Sequence, residues 1–511
     1  MEFRKISSSL KRLLATPTLK ANVIANFIGN GYGALLGIIF VPVYLHYIGA
    51  EGYGLIGIFT SLQVVLSLLD NGLSTTLNKE IARLSATPDN GNHIRNFVKT
   101  LSAAYWIIAA AIGVIALTLS PVLANYWLHP KQLTVHTVTV AFFFLSISMV
   151  FQFISSFYGG GLLGLQKQVI FNILRVLFST LKSVGAVFIL MYVSRTVIAF
   201  FAWNTGITIL QALTFRLVLW HQLPAGTEKA IFRKEDLYSI KSFAFGMTAI
   251  GLTSVLLTQV DTVILSKILS LSKFGYYTLS YTIGSVAYMI CGPVSQSYFP
   301  KFGVLYAENN MDELKRIYHQ GCQLVTALVL PFSLFLATFS KEILLVWTHN
   351  NTTVENTWQI TSIVTLAVAL HCLMFMPYTI CLTYNNTKLA LYTNIAILIV
   401  LIPSTIFFAL KFGGIGGAFC WLVINIIYVI VNPIMIHNRF LKGEAAKWYW
   451  TDTIKPVLGC TVVLLLTKLL ISHTSLALYF KLCIITSAGF IGFLVTLMSC
   501  KNFNLKLTFK K

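Results

Sequence analysis

The chain has 511 residues, 56% of them hydrophobic and 10% charged, with 37 Lys and Arg against 16 Asp and Glu and a net charge of +21. A soluble domain of this length needs far more charge on its surface, so the composition excludes one and points to an all-α polytopic membrane protein. No HExxH, GxSxG or Walker A pattern occurs and the eight Cys show no metal spacing, so no catalytic residue, metal site or enzyme activity is expected.

Residues 1–20, MEFRKISSSLKRLLATPTLK, hold five Lys or Arg and no apolar leader core, and read as a basic cytoplasmic tail. A spanning helix needs about 20 apolar residues. Fourteen stretches qualify, near 22–46, 53–78, 97–119, 136–158, 170–191, 196–218, 241–266, 275–299, 319–340, 359–383, 390–410, 415–436, 456–472 and 477–499. The last pair is the shortest, which leaves twelve as the lower count. GGIGG at 413–417 marks a tight turn between two spans. Pro42, Pro293, Pro331, Pro377 and Pro403 interrupt spans at candidate bends.

The loops KEIARLSATPDNGNHIRNFVK, GTEKAIFRKEDLYSIK and HNRFLKGEAAKWYWTDTIK lie on one side together with both termini. By the positive-inside rule that side is cytoplasmic. Topology thus accounts for the basic balance, and no nucleic-acid partner is expected.

Shifting the sequence by 221 residues lays IGAEGYGLIGIFTSLQVVLSLLDNGLSTTLNKEIARL (48–84) over LSLSKFGYYTLSYTIGSVAYMICGPVSQSYFPKFGVL (269–305), with Gly54 on Gly275. Six spans separate corresponding points, so the two copies keep one orientation. That is a parallel repeat, with a substrate site expected between two lobes near mid-membrane. The domain reading follows: tail 1–20, first lobe 21–220, cytoplasmic linker 221–240, second lobe 241–437, extra C-terminal helices 438–500, and a basic cytoplasmic tail 501–511.

The fifth span, FNILRVLFSTLKSVGAVFIL, carries Asn172, Arg175, Ser179 and Lys182 on one helical face. At ~1.5 Å per residue, Lys182 lies roughly 18 Å from a boundary near residue 170, close to mid-membrane. A central Lys or Arg costs about 2.5–3.5 kcal/mol on insertion scales, so Lys182 should face protein or water. Arg175 is either an interfacial anchor or a second cavity cation. Residues 90–227 hold Arg95, Lys99, Lys131, Lys167, Arg175, Lys182, Arg195 and Arg216 but no Asp or Glu. A partner for these cations is therefore Asp70 of the second span, Asp261 of the seventh or an anionic ligand; a low-dielectric cavity of one sign concentrates counter-ions, which points to an anionic substrate.

Neutral stripes occur elsewhere. Asn22, Asn26 and Asn30 precede Gly33 and Gly37 in the first span; Tyr281, Ser285, Tyr288 and Gly292 share a face of the eighth. Asn26, Asn30, Tyr281 and Tyr288 suit sugar hydroxyls and ring faces, and they equally suit helix packing. Asp70 and Asp261 are the acids well inside apolar spans, candidates for coupling or gating. Asp261 has alternatives in capping a turn or pairing with Lys267.

EGYGLIGIFTSLQVVLSLLDNGLSTTLNKEIARL and LLTQVDTVILSKILSLSKFGYYTLSYTIGSVA resemble the second-helix and the seventh- and eighth-helix segments of bacterial Wzx-type polysaccharide flippases. Those proteins belong to the multidrug/oligosaccharidyl-lipid/polysaccharide exporter superfamily. The resemblance implies two six-helix bundles in a MATE-like V shape, with two extra C-terminal helices. It also implies an anionic lipid-linked glycan on undecaprenyl pyrophosphate, moved across the bacterial cytoplasmic membrane for surface polysaccharide such as O-antigen or capsule. In that reading Lys182 and Arg175 hold the anionic head group, membrane lipids surround the chain, and a polymerase and other glycan-assembly proteins are its partners. No cofactor is implied, beyond coupling to H+ or Na+. A lipid II flippase and a cation-coupled multidrug exporter are the alternatives on the same fold.

Overall fold

The computed structural model describes residues 29, 31–33, 35–85, 90–238, 258–384, 387–474 and 478–500. Among the described residues every regular element is helical. Polar caps start several helices where the chain leaves a connection. Thr134 accepts from Thr137 N–H at 3.1 Å, Thr196 from Ala199 at 3.2 Å, Asn310 from Glu313 at 3.2 Å and Asn350 from Thr353 at 2.9 Å. Each satisfies one backbone donor that the helix cannot.

The chain divides into two compact units, Met1–Gly275 and Tyr276–Lys511. The first contains α1 (Val41–Ser85), α2 (Gly91–Val122), α3 (Val135–Gly164), α4 (Gln168–Phe188) and α5 (Val197–Gln222). Single π-helical turns, Leu123–Trp127 and Ile189–Val193, finish α2 and α4. Helix α1 runs through Gly49, whose backbone (φ 69°, ψ 179°) breaks the helical path and separates the expected first and second spans. Helix α3 is central and packs against α1, α2 and α5. Its YGGGLLG end makes that possible: a Cβ on Gly160 would lie 3.1 Å from Ser74 O, and one on Gly164 2.8 Å from Asn78 O. The α1 and α3 backbones therefore meet with no side chain between them. Tyr105, Phe153, Phe157, Phe178 and Phe215 fill the core alongside.

The second unit takes in most of α6 (Leu271–Gly284), then α7 (Val286–Ala307), α8 (Met311–Thr338), α9 (Ser340–Thr348), α10 (Asn351–Leu373), α11 (Phe375–Thr383), α12 (Thr387–Phe440), α13 (Lys455–Ser472) and α14 (Leu478–Ser499). Helix α8 is the hub, packed against α7, α10, α13 and α14. Gly413 (φ 64°, ψ −141°) kinks α12 at the expected GGIGG turn.

Ten helices among the described residues are long and apolar enough to cross a membrane, which makes the chain a multi-pass membrane protein. Ten falls short of fourteen at four places. Two expected spans run on as Tyr392–Phe440 across the Gly413 kink, the expected eighth is divided at Ser285, and part of the expected first and the first half of the expected seventh, through residue 257, lie outside the described residues. Both charged tails, 1–20 and 501–511, also lie outside them.

Candidate functional site

The polar face predicted for the fifth span is present on α4, and its four members meet different surroundings. Asn172 is buried, and its Oδ1 lies where a Cβ on Gly29 would come within 2.3 Å. Ser179 Oγ lies 3.7 Å from the equivalent point on Gly33, and Tyr32 shares a 2.9 Å hydroxyl bond with Thr180. The glycine face of the first span thus closes over Asn172 and Ser179. Arg175 is exposed, on the side of α4 opposite the exposed Ile173 and Leu177. Lys182 is half-buried and donates to Gln152 Oε1 on α3 at 3.5 Å.

Gln152 places Lys182 in context. It lines a cavity of ≈ 260 Å³ with Gln63, Ser67 and Asp70 of α1 and with Phe153 and Ser156 of α3. Asp70 is 4% exposed and accepts from Tyr105 Oη at 2.7 Å and from Ser156 Oγ. The Tyr105 and Ser156 hydroxyls can each rotate to donate to a carboxylate or to accept from a carboxyl. One cavity wall therefore brings together an acid satisfied in either protonation state and, through Gln152, a mid-helix cation.

The remaining candidates stand elsewhere. Asn26 and Asn30 lie outside the described residues. Asp261 is buried in the helical stretch 258–268 and accepts from Thr262 Oγ1 at 3.3 Å. Lys267 donates to Tyr126 O and lies 5.5 Å from the Trp127 ring centre. In the second unit, the Tyr281 ring stacks on Tyr277 at 6.5 Å. Tyr288 meets His371 edge-on at 5.5 Å, and His371 in turn stacks on Tyr428 at 6.0 Å.

Two polar centres were missed from sequence. Glu51, 1% exposed, accepts from the backbone N–H groups of Lys131 (2.8 Å), Gln132 (3.0 Å) and Leu133 (2.8 Å) and from Ser272 Oγ (2.9 Å). Its only sequence signal was an acid beside a glycine turn. In the second unit, His319 on α8 is fully buried between two carboxylates, bonding Asp452 through Nδ1 and Glu444 through Nε2 at 2.9 Å. Gln323 adds a 2.9 Å bond to Asp452, and Lys315 approaches Glu444 at 3.3 Å. Burial pushes the Glu444 carboxyl up, but the His319 and Lys315 bonds and the nearby Lys447 outweigh it and hold it below the usual carboxylate range.

The comparisons with known proteins agree with this architecture. The polysaccharide biosynthesis protein family matches residues 19–305, and the MatE family matches residues 248–407. A Shigella flexneri protein that bears the name of an O-antigen transporter is 21% identical over 425 residues, covering 82% of this chain and 97% of that one. Among solved structures, lipid II flippase MurJ in an inward closed conformation is similar with a TM-score of 0.70 at 14% identity, over 93% of this chain and 97% of that one. An inward-facing MATE family multidrug resistance transporter has a TM-score of 0.67 at 14% identity, over 82% and 96% of the two chains. A transporter of the same superfamily from Pyrococcus furiosus has a TM-score of 0.59 at 14% identity, over 84% and 96%. The chain belongs to the polysaccharide biosynthesis protein family, within the multidrug/oligosaccharidyl-lipid/polysaccharide exporter superfamily.

Proposed function

We propose that the chain is a flippase for a lipid-linked oligosaccharide. It carries a glycan on an undecaprenyl pyrophosphate anchor across the bacterial cytoplasmic membrane, with both termini cytoplasmic, to supply surface polysaccharide. The observation that carries this reading is Lys182: a cation within an apolar helix, bonded to the neutral Gln152, in a stretch of chain without acids. Its charge is left for an anionic head group, and a cationic drug would be repelled by it. The family and the Shigella flexneri relative support the glycan part.

Asp70 is the better candidate of the two acids for coupling to H+ or Na+. Its hydroxyl partners fit both protonation states, and it opens on the cavity that Gln152 shares. Arg175 is the second cation for the cargo, placed in the open on the polar side of α4. A polymerase and the enzymes that assemble the glycan are the expected partners.

Deletion of the gene tests the reading. Cells lacking it should lose surface glycan and accumulate the lipid-linked intermediate on the cytoplasmic face, and the full chain should restore export. Normal surface glycan in the deletion strain overturns the proposal.

A further inference from the structure

A second cavity, this one basic, lies away from Lys182 where α2 begins and α5 stops. Its volume is ≈ 730 Å³, and its lining includes Arg95, Lys99 and Trp106 of α2, Arg216 and Trp220 of α5, and Lys229 of the following segment. Glu228 is the one acid among the lining residues, so cations outnumber it four to one. The site is built rather than a chance cluster of surface charge. Arg95 lies 5.6 Å over the Trp220 ring and donates to Pro224 O at 3.2 Å; Lys99 donates to Ala230 O at 2.7 Å. Both spend these bonds on carbonyls, which leave their charge uncancelled. Tyr158 of α3 fixes two of the lining residues from behind, with its hydroxyl 2.7 Å from Ser102 Oγ and 3.4 Å from Trp106 Nε1.

The segment after α5 closes the end of this cavity. Its residues bond along α2: Asn92 to Thr227 at 2.8 Å, Asn96 to Ile231 N–H at 2.7 Å, and Thr100 to Arg233 N–H at 2.9 Å. Farther along the same two helices the surface is apolar. Leu213 and Leu217 of α5 are 43% and 70% exposed on the face that carries Arg216, and Val114 of α2 is 60% exposed. Helix α2 has 32 residues, about 48 Å at ~1.5 Å each, against a hydrocarbon core of ~30 Å. Its basic first turns thus stand at the head-group level while its later turns cross the acyl chains. Tryptophans beside cations at that depth are what a membrane interface selects.

We propose that this cavity binds one anionic glycerophospholipid of the adjacent leaflet. Its phosphodiester sits among Arg95, Lys99, Arg216 and Lys229, and its acyl chains lie along Leu213, Leu217 and Val114. The site is independent of the cargo reading, since it uses neither Lys182 nor Asp70. By holding the segment after α5 against α2, a bound lipid fastens the connection that leaves the first five helices.

Native mass spectrometry of the full-length protein in detergent tests this with phosphatidylglycerol, phosphatidylethanolamine and inorganic phosphate as separate probes. The proposal expects one phosphatidylglycerol retained per chain at concentrations where phosphatidylethanolamine is lost. Arg216→Gln with Lys229→Gln should weaken that binding about thirtyfold, and Arg216→Lys should keep it. Gel-filtration elution matching the parent identifies variants that remain folded. Equal retention of the two lipids overturns the proposal, as does unchanged phosphatidylglycerol binding in the folded double variant. Displacement of the lipid by millimolar inorganic phosphate also overturns it, because the site would then serve the free anion.

Discussion

Ser272 donates a hydrogen bond to Glu51 at 2.9 Å, and the two residues are 221 positions apart. That is the interval at which the sequence aligns with itself. Gly54 and Gly275, paired by the same shift, also touch: a Cβ on Gly275 would lie 3.2 Å from Gly54 N and 1.9 Å from Ala50 O. Residues that this shift superimposes therefore meet at Glu51 with Ser272 and at Gly54 with Gly275, and the glycine contact admits no side chain.

Glu51 should be a strong determinant of stability. Truncation in Glu51→Ala removes the acceptor for three backbone N–H groups and one hydroxyl, and each buried orphan costs about 1–3 kcal/mol. Thermal denaturation in detergent should show a large loss for Glu51→Ala and a smaller one for Glu51→Gln, which keeps an acceptor oxygen. A melting temperature unchanged in Glu51→Ala would remove the buried carboxylate from the account of stability.

His319 should hold α8 to the helices that follow it. Removing its imidazole leaves Asp452, which is fully buried, without that partner, a change that costs about 3–5 kcal/mol when a buried pair is broken. His319→Ala should melt earlier than the parent, and adding Asp452→Asn to it should recover part of the loss. A double variant as unstable as the single one contradicts this.

The same cluster gives a pH dependence. Glu444 is held below the usual carboxylate range in the folded protein, so its stabilisation is present in full above the unfolded value, about 4.3, and is lost as pH falls through the folded one. Melting temperatures should therefore decline below about pH 4.3, and Glu444→Gln should flatten that decline. Parallel curves for parent and variant would refute the assignment.

How much of this was legible in the sequence differs by scale. Spans, the turn at Gly413 and the polar face of α4 follow from hydropathy, glycine clustering and 3.6-residue spacing, because those are properties of one stretch of chain. Which helix receives that face depends on tertiary packing, which periodicity does not encode. Asn172 and Ser179 turned out to lie beneath Gly29 and Gly33, whereas Lys182 reaches across to α3. Gln152 could have been suspected, since Ser148, Gln152 and Ser156 recur every fourth residue. His319, Asp452 and Glu444 carry no local pattern: 133 positions separate His319 from Asp452, and only the fold unites them.

Close backbone crossing should make α3 intolerant of bulk. Gly164→Val places a branched side chain where a Cβ alone would lie 2.8 Å from Asn78 O, whereas Gly206, with open space around it, should accept Ala. Expression and monodisperse elution should fall sharply for the first and stay near parental for the second. The reverse order would contradict the packing of α1 on α3.

Asp70→Asn separates coupling from folding. The amide can keep both hydroxyl partners but cannot take up a proton, so the variant should fold normally and lose the response of transport to an imposed H+ or Na+ gradient. Gradient-dependent transport that persists in Asp70→Asn would exclude Asp70 as the coupling group.

The most direct test of the central claim is the amount of surface glycan in a deletion strain complemented with Lys182→Ala or Lys182→Arg at matched protein levels. A charge-assisted bond contributes about 1.5–3 kcal/mol, so its loss weakens the hold on an anionic head group about tenfold or more. The account predicts a clear drop in surface glycan for Lys182→Ala and near-parental levels for Lys182→Arg. Full surface glycan from Lys182→Ala would contradict it.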